Sequence, residues 1–227
     1  MNLEKNVEEI SEKIKVSLMC SNYSFNDIMF VAVTKTETIE TVEELIRCGV
    51  LHIGESRVQE LVRKYEVIGD KVIWHMIGHL QKNKVKYIVD KVSFIHSLDS
   101  ESLALEIEKR ASKIGKVINC LIEVNISGEE SKHGLKLSDV KAFLFKINKL
   151  KHINIVGLMT MAPYSNDAEN SRKFFNELKE LASEIKPIDN VCMKYLSMGM
   201  SNDFEVALQE GANMIRIGRA LFKNDVQ

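Results

Sequence analysis

Short apolar runs alternate with amphipathic stretches along the whole chain. Eight of the runs are typical of buried parallel strands. They span residues 28–34, 51–54, 72–78, 94–98, 118–124, 153–160, 192–198 and 214–218. Apolar residues at helical spacing predict helices over residues 3–20, 102–114, 139–150 and 168–185.

The alternation of strand and helix predicts parallel strands joined by helical crossovers. An open doubly wound sheet and a closed (β/α)8 TIM barrel both fit this pattern. Eight strands in 227 residues favour the barrel. We therefore expect an α/β protein with a single domain over residues 1–227. An additional N-terminal helix, over about residues 1–22, is expected to cover the bottom of a barrel over about residues 28–222.

Composition narrows the classes of function. The 31 basic and 32 acidic residues nearly balance and form no long block of one sign, so a nucleic-acid-binding face is not expected. The charged N-terminus lacks a signal core and no apolar run could span a bilayer, so we expect a cytoplasmic protein without membrane contact. The four cysteines and six histidines show no metal-ligand spacing, so the sequence predicts no metal site.

Lys35 follows the first apolar run and is the leading candidate for chemistry. Burial at a strand end would favour its neutral amine, and a neutral amine attacks carbonyl groups to form a Schiff base. The alternative is a lysine whose charged head extends to solvent. In a barrel this position belongs to the active end, where the carboxyl ends of the strands lie.

The loops after the last two strands indicate an anion site. The small-residue loop from Ser197 to Ser201 leads into a helix whose N-cap we expect to be Ser201, with Asn202 and Asp203 as near alternatives. Gly218-Arg219 follows the eighth strand. Barrels often bind phosphate between these two loops. Two ordinary strand-to-helix turns are the alternative.

Two further residues are candidates because of their place in a strand. If Arg216 in strand eight points inward, it could face the ring nitrogen of a pyridine; arginine keeps its proton, so that nitrogen would stay unprotonated. His75 alternates with Trp74, so one faces the barrel interior and the other the helices. We treat His75 as a site candidate and interpret His52 and His96 as structural or surface residues.

Seven motifs together resemble those of the pyridoxal phosphate homeostasis protein family, whose members are similar to the barrel domain of alanine racemase. They are V-A-V-T-K (31–35), G-E-S-R-V-Q-E (54–60), W-H-M-I-G-H-L-Q-K-N-K (74–84), E-V-N-I-S-G-E-E-S-K-H-G (123–134), G-L-M-T-M-A-P (157–163), L-S-M-G-M-S-N-D-F (196–204) and I-R-I-G-R-A-L-F (215–222). The family commonly has G-E-N where this chain has Gly54-Glu55-Ser56. Serine is shorter than asparagine. A contact that the asparagine makes near the family's cofactor is therefore not expected from Ser56 with the same geometry.

The resemblance implies pyridoxal 5'-phosphate (PLP) held as a Schiff base on Lys35, with Arg216 near the pyridine nitrogen. It implies phosphate contacts from Ser197, Met200, Ser201, Gly218 and Arg219. It also implies a role in PLP homeostasis, with PLP-dependent enzymes as potential clients. We expect a monomer rather than an obligate oligomer.

Three functions compete for this site. The first is a non-catalytic PLP carrier or regulator. The second is a PLP-dependent amino-acid racemase, which needs an acid/base group on each face of the substrate; Lys35 serves one face and no residue obviously serves the other. The third is a Schiff-base aldolase without PLP, which needs only the lysine and a sugar-phosphate site. The sequence favours the carrier.

Overall fold

Eight parallel strands close into a barrel in chain order. The computed structural model describes residues 2–19, 21, 23–129, 131–185 and 187–224. The strands are β1 (Met29–Val33), β2 (His52–Glu55), β3 (Ile73–Met76), β4 (Phe94–Leu98), β5 (Ile118–Glu123), β6 (Ile153–Met159), β7 (Val191–Met200) and β8 (Met214–Ile217). Each strand pairs with the next, and β8 pairs with β1. The predicted TIM barrel is confirmed.

Seven α-helices surround the barrel in the described part of the chain. They are α1 (Leu3–Ser17), α2 (Ile39–Arg47), α3 (Val58–Ile68), α4 (Glu101–Lys113), α5 (Leu137–Ile147), α6 (Arg172–Glu184) and α7 (Phe204–Gln209). The helices predicted with bounds do not include α2, α3 and α7, although α7 is the helix expected after the Ser197–Ser201 loop. The predicted end of the first helix at Cys20, and residues 225–227 of the predicted domain, lie outside the described residues. No helix in the described ranges is long and apolar enough to cross a membrane.

Helix α1 corrects one expectation, because it does not lie across the bottom of the barrel. It packs between α7 and α2 in the outer ring, where Lys13 pairs with Glu205 of α7 at 2.8 Å. The side-chain amide of Asn6 donates to the carbonyl oxygens of Leu221 and Lys223, at 2.9 and 3.0 Å. Helix α1 therefore fills the place of the helix that would follow β8.

The apolar core has two parts. One fills the barrel interior and contains Val31, Phe94, Leu121, Val156, Met159 and Met214. The other lies between the strands and the helices. Trp74 belongs to this outer part and donates its indole N–H to the carbonyl of Gly69 at 2.8 Å, whereas His75 stacks on Phe94 in the interior. The predicted alternation of Trp74 and His75 is confirmed.

Candidate functional site

A cavity of about 450 Å³ opens at the carboxyl ends of β6, β7, β8 and β1. Its walls are formed by Val33, Lys35, Ala162, Pro163, Tyr164, Ser165, Ser171, Met200, Ser201, Asn202, Asp203, Arg216, Gly218 and Arg219. Six of the eight predicted site residues are in this set; His75 and Ser197 are not. The cavity therefore brings together residues far apart in sequence at the end of the barrel where chemistry is expected.

A second cavity, of about 500 Å³, lies at the amino ends of the strands and includes His52, Lys194 and Tyr195 in its walls. It is slightly larger than the first cavity. We place the functional site in the first cavity because residues at the amino end of a TIM barrel serve stability rather than chemistry.

Lys35 lies in the turn just after β1 and is exposed, so of the two alternatives the structure shows the lysine that extends to solvent rather than the buried one. The chain continues past the end of the strand before Lys35, and its side chain stands at the wall of the cavity. Thr34, the residue before it, is fully buried. The structure thus combines a fixed backbone with an accessible amine.

A buried ion pair holds Thr34 in place. The ammonium of Lys64 on α3 lies 2.6 Å from Oε1 of Glu55, and both side chains are completely buried. The same ammonium donates to the carbonyl of Thr34, and the Thr34 hydroxyl donates to Glu55, each at 2.5 Å. Because these bonds tie the ends of β1 and β2 together, they fix the point from which the Lys35 side chain departs.

A bulge in β7 separates the roles of Ser197 and Met200. The pairing with β8 gains one extra residue between them, since Ser197 is opposite Met214 and Met200 is opposite Arg216. Gly199 within the bulge has φ of +87°, and a Cβ there would lie 2.6 Å from the Cβ of Ala207. Only glycine fits this position. As a result Met200 lines the cavity, whereas Ser197 is fully buried behind it.

Helix α7 begins after one of the alternative cap residues. Asp203, not Ser201, is the cap residue, and its carboxylate accepts from the backbone N–H of Met200 at 2.7 Å. The hydroxyl oxygen of Ser201 accepts from the backbone N–H groups of Gly218 and Ala220, at 3.3 and 3.1 Å. Two backbone donors after β8 therefore converge on one oxygen atom at the cavity wall.

Arg216 forms part of the cavity floor and is only 4% exposed. Its guanidinium donates to the hydroxyl of Ser197 at 2.6 Å and to the carbonyl of Thr160 at 2.9 Å, and neither partner carries charge. Burial lowers the pKa of Arg216 to about 10, against the opposing influence of Asp203 and Glu123. The side chain stays charged at neutral pH, so the floor presents a buried cation to any ligand.

A chain of hydrogen bonds runs from Arg216 through the barrel interior to the amino-end cavity. Nδ1 of His96 lies 3.1 Å from the Ser197 hydroxyl, Nδ1 of His75 lies 2.9 Å from Nε2 of His96, and Nδ1 of His52 lies 2.9 Å from Nε2 of His75. Burial holds the pKa values of His75 and His96 well below the ordinary value, so both rings are neutral. We call this series from Arg216 to His52 the histidine chain.

The direction of the histidine chain follows from the donors available. Arginine only donates, and a neutral imidazole has one donor and one acceptor. If Ser197 accepts from Arg216 and donates to His96, each ring then donates from Nε2 to the next, and every buried bond is satisfied. His75 therefore acts on Arg216 through His96 and Ser197. The sequence does not indicate this role, because contacts between inward residues of different strands depend on the strand register.

Glu123 at the end of β5 is a buried carboxyl that no sequence pattern indicates as a site residue. It is 4% exposed, and within the described residues its Oε2 has no hydrogen-bond partner. Burial and, to a smaller extent, the nearby charge of Asp99 raise its pKa to about 7, while Arg216 acts in the opposite direction. The mouth of the barrel thus carries a group that titrates near neutral pH.

Known proteins resemble this chain over almost its full length. Residues 3–225 match the family described as alanine racemase, N-terminal domain. The pyridoxal phosphate homeostasis protein of Aquifex aeolicus (strain VF5) is 42% identical over 223 residues, 98% of each chain. An unknown protein from Bifidobacterium adolescentis superposes with a TM-score of 0.90 at 32% identity, over 97% of this chain and 94% of that one. PipY of Synechococcus elongatus PCC7942, solved with PLP bound, superposes with a TM-score of 0.81 at 30% identity, over 94% of this chain and 100% of that one.

Proposed function

Because this chain belongs to the pyridoxal phosphate homeostasis proteins, within the wider family of alanine racemase N-terminal domains, we propose that it binds PLP and serves PLP homeostasis as a carrier or regulator. One observation carries the proposal: Lys35, Arg216, Gly218 and Arg219 line a single cavity. We further propose that it works in the cytoplasm as a monomer and that PLP-dependent enzymes are its clients.

The residues present fit each part of the cofactor. Lys35 supplies the amine for a Schiff base, and Arg216 offers a buried donor to a pyridine nitrogen. Arg219 supplies a cation for a phosphate, and the Ser201 hydroxyl, which accepts from two backbone N–H groups, keeps its own proton to donate to the phosphate. The cavity volume of about 450 Å³ lies within the usual range for cofactor pockets. Met200 contributes to the cavity wall beside the cofactor in this proposal.

Two predicted contacts change their role in this proposal. The Ser197 hydroxyl is already bonded to Arg216 and His96, so we expect Ser197 to orient Arg216 rather than to bind phosphate. His75 is fully buried and outside the cavity, so we expect it to support Arg216 through the histidine chain.

The same geometry favours a carrier over a racemase. When bound, the cofactor supplies an electron sink through its ring, and a ring nitrogen that accepts from an arginine stays unprotonated, which weakens the sink. A racemase also needs a second acid/base group. Tyr164 is the cavity residue with a phenol hydroxyl, but it is 72% exposed.

The main experiment locates the covalent bond. We expect PLP-loaded protein reduced with borohydride to carry the cofactor on Lys35, as measured by peptide mass spectrometry. Lys35→Ala should lose this adduct, whereas Lys82→Ala, which removes an exposed lysine at the same end of the barrel, should retain it. An adduct mainly on another lysine would contradict the proposal.

A second experiment separates carrier from racemase. Purified protein loaded with PLP is incubated with L-alanine and other amino acids in deuterium oxide, followed by chiral analysis and mass spectrometry. We expect no turnover at enzymatic rates, which are on the order of 1–10³ per second. Turnover in that range would overturn the carrier role, and its loss in Tyr164→Phe would identify the second base.

A further inference from the structure

Three side chains with metal-binding atoms converge at the carboxyl end of the barrel. His79 follows β3, Asp99 follows β4 and His133 lies in the loop after β5. One ring nitrogen from each histidine and one carboxylate oxygen lie within 4.8 Å of one another. Nδ1 of His79 is 3.7 Å from Oδ2 of Asp99, and the two imidazole rings stack with centroids 3.8 Å apart and planes inclined by 11°.

We propose that His79, Asp99 and His133 form a binding site for one divalent transition-metal ion, with Zn²⁺ as the best chemical match. Two imidazole nitrogens and one carboxylate suit zinc and its neighbours, whereas Ca²⁺ and Mg²⁺ prefer oxygen ligands alone. Three protein ligands leave the fourth tetrahedral position for water or for a donor from another molecule at the barrel mouth.

The present separations are close to metal-binding distances, but one imidazole must also turn out of the stack, because nearly parallel ring planes do not direct two nitrogen lone pairs at one ion. Zn–N and Zn–O bonds of about 2.0–2.2 Å place tetrahedral donors roughly 3.3 Å apart. Side-chain rotation can supply this movement, since the His79 side chain is 39% exposed and that of Asp99 is 16% exposed. Within the described residues no hydrogen bond involves a ring nitrogen of His79 or His133. A metal ion would therefore displace solvent rather than protein partners.

The backbone beside His79 and Asp99 is fixed. A Cβ on Gly78 would lie 2.4 Å from the carbonyl oxygen of Ser56, so the chain passes close to the end of β2 at this point. Leu80, on the other side of His79, is 2% exposed. Asp99 stands between the fully buried Leu98 and the start of α4. Both ligands therefore project from anchored positions.

The loop that carries His133 is also fastened to the barrel. Leu135 donates its backbone N–H to Glu123 at 2.8 Å and accepts from Asn125 at 2.9 Å. Gly134 has φ of +110°, and a Cβ there would lie 2.7 Å from the nitrogen of Asn125. The backbone is therefore fixed beside all three ligands. Metal binding should cost little backbone conformational entropy as a result.

Sequence spacing could not indicate this site. The three ligands belong to three different loops, and no two of them show the short spacing of a metal motif. Only closure of the barrel in the order β3, β4, β5 brings the loops together. The site is separate from the cavity of the PLP proposal, because none of its three ligands lines that cavity.

Isothermal titration of tag-free apoprotein with zinc chloride tests the proposal without any dependence on PLP. We expect one equivalent of zinc in the wild type and at least about a tenfold loss of affinity in each of His79→Gln, Asp99→Asn and His133→Gln. Control variants Cys192→Ser, which removes an exposed thiol, and His152→Gln, which removes a histidine paired with Glu108, should bind as the wild type does.

Cobalt substitution gives a second readout. Co²⁺ in a four-coordinate site of nitrogen and oxygen ligands should give visible absorption that His79→Gln and His133→Gln abolish, while circular dichroism shows both variants folded. Absence of zinc binding by the wild type would overturn the proposal. Unchanged affinity in the His79→Gln/His133→Gln double variant would overturn it as well.

Discussion

At the scale of single residues, the site depends on charges that have been removed from water. Lys64 and Glu55 are buried together and position Thr34, while Arg216 is buried with neutral partners only. Glu123 is buried with one oxygen unpaired within the described residues. Removing one partner of a buried pair leaves an uncompensated charge, which costs far more than the loss of a surface contact.

Lys64→Met should lower the free energy of unfolding by about 3–5 kcal/mol, because it leaves Glu55 charged and buried without its partner. Urea unfolding of the apoprotein measures this. The matched control is Arg63→Met on the same helix, whose pair with Glu60 is exposed; its effect should stay within about 0.5 kcal/mol. A double replacement of Glu55 and Lys64 by leucine should recover part of the loss, and equal effects of the two single variants would contradict the assignment.

Glu123→Gln should remove a pH dependence of stability. The native pKa of Glu123 is about 7, above its ordinary value of 4.5, so the folded protein binds the extra proton and its stability falls as pH rises through this window. The variant should match the wild type near pH 5 and exceed it at pH 8.5 by up to about 3 kcal/mol. Urea unfolding in buffer with a chelator measures the difference in unfolding free energy between the variant and the wild type at each pH. Titration of the histidines affects both proteins alike and so cancels in this difference. A difference independent of pH would show that Glu123 is not protonated in the native state.

At the scale of elements, strand β7 decides which side chains reach the cavity. The extra residue between Ser197 and Met200 turns Ser197 toward Arg216 and places Met200 at the wall. Gly199 makes this possible through its positive φ and its close approach to Ala207. Position 199 therefore requires glycine for two reasons, the positive φ and the lack of room for a Cβ atom.

Gly199→Ala should destabilise the protein more than Gly49→Ala. Both glycines have positive φ, +87° and +79°, which costs alanine about 1–2 kcal/mol at either position. Only at Gly199 does the new Cβ meet another atom closely, which adds about 1–3 kcal/mol; at Gly49 no atom lies within 4 Å. Thermal unfolding measures stability, and a PLP titration should show weaker binding for Gly199→Ala alone. Equal effects of the two variants on PLP binding would show that the bulge in β7 does not shape the PLP site.

How far the sequence predicts the structure also depends on scale. The spacing of the apolar runs was enough to predict the barrel, because strands that are buried on both faces appear in the sequence as continuous apolar segments. The residues that follow those runs were enough to predict most of the cavity wall, because the carboxyl ends of parallel strands lie at the same end of a barrel. The histidine chain, the Lys64–Glu55 pair and the place of α1 in the helical ring were not predicted. Each depends on register and on which side chains face each other across neighbouring elements.

At the scale of the whole molecule, the cavity lies across the closure of the barrel. Lys35 follows β1, and Arg216, Gly218 and Arg219 belong to β8 and the segment after it; β8 and β1 are neighbours. A ligand that contacts both sides therefore stabilises the folded state against opening at this seam. Any ligand that binds only the native barrel raises stability in proportion to the logarithm of its concentration over Kd.

PLP should raise the stability of the apoprotein much more than pyridoxal at the same concentration. Loss of two charge-assisted bonds to phosphate, worth about 1.5–3 kcal/mol each, weakens binding by about a hundredfold or more. At 100 times its Kd, PLP should add about 2.7 kcal/mol. Thermal unfolding with each ligand measures the difference, and Arg219→Ala should reduce it. Equal shifts for the two ligands would place the phosphate elsewhere.

The seam also sets an order of events during synthesis. Lys35 leaves the ribosome well before the strand that carries Arg216 and the segment with Arg219. A nascent chain that lacks them has the reactive amine without the rest of the cavity. We therefore expect a ligand that contacts both sides of the seam to bind only after β8 has been released, so chains stalled before β8 should bind it poorly.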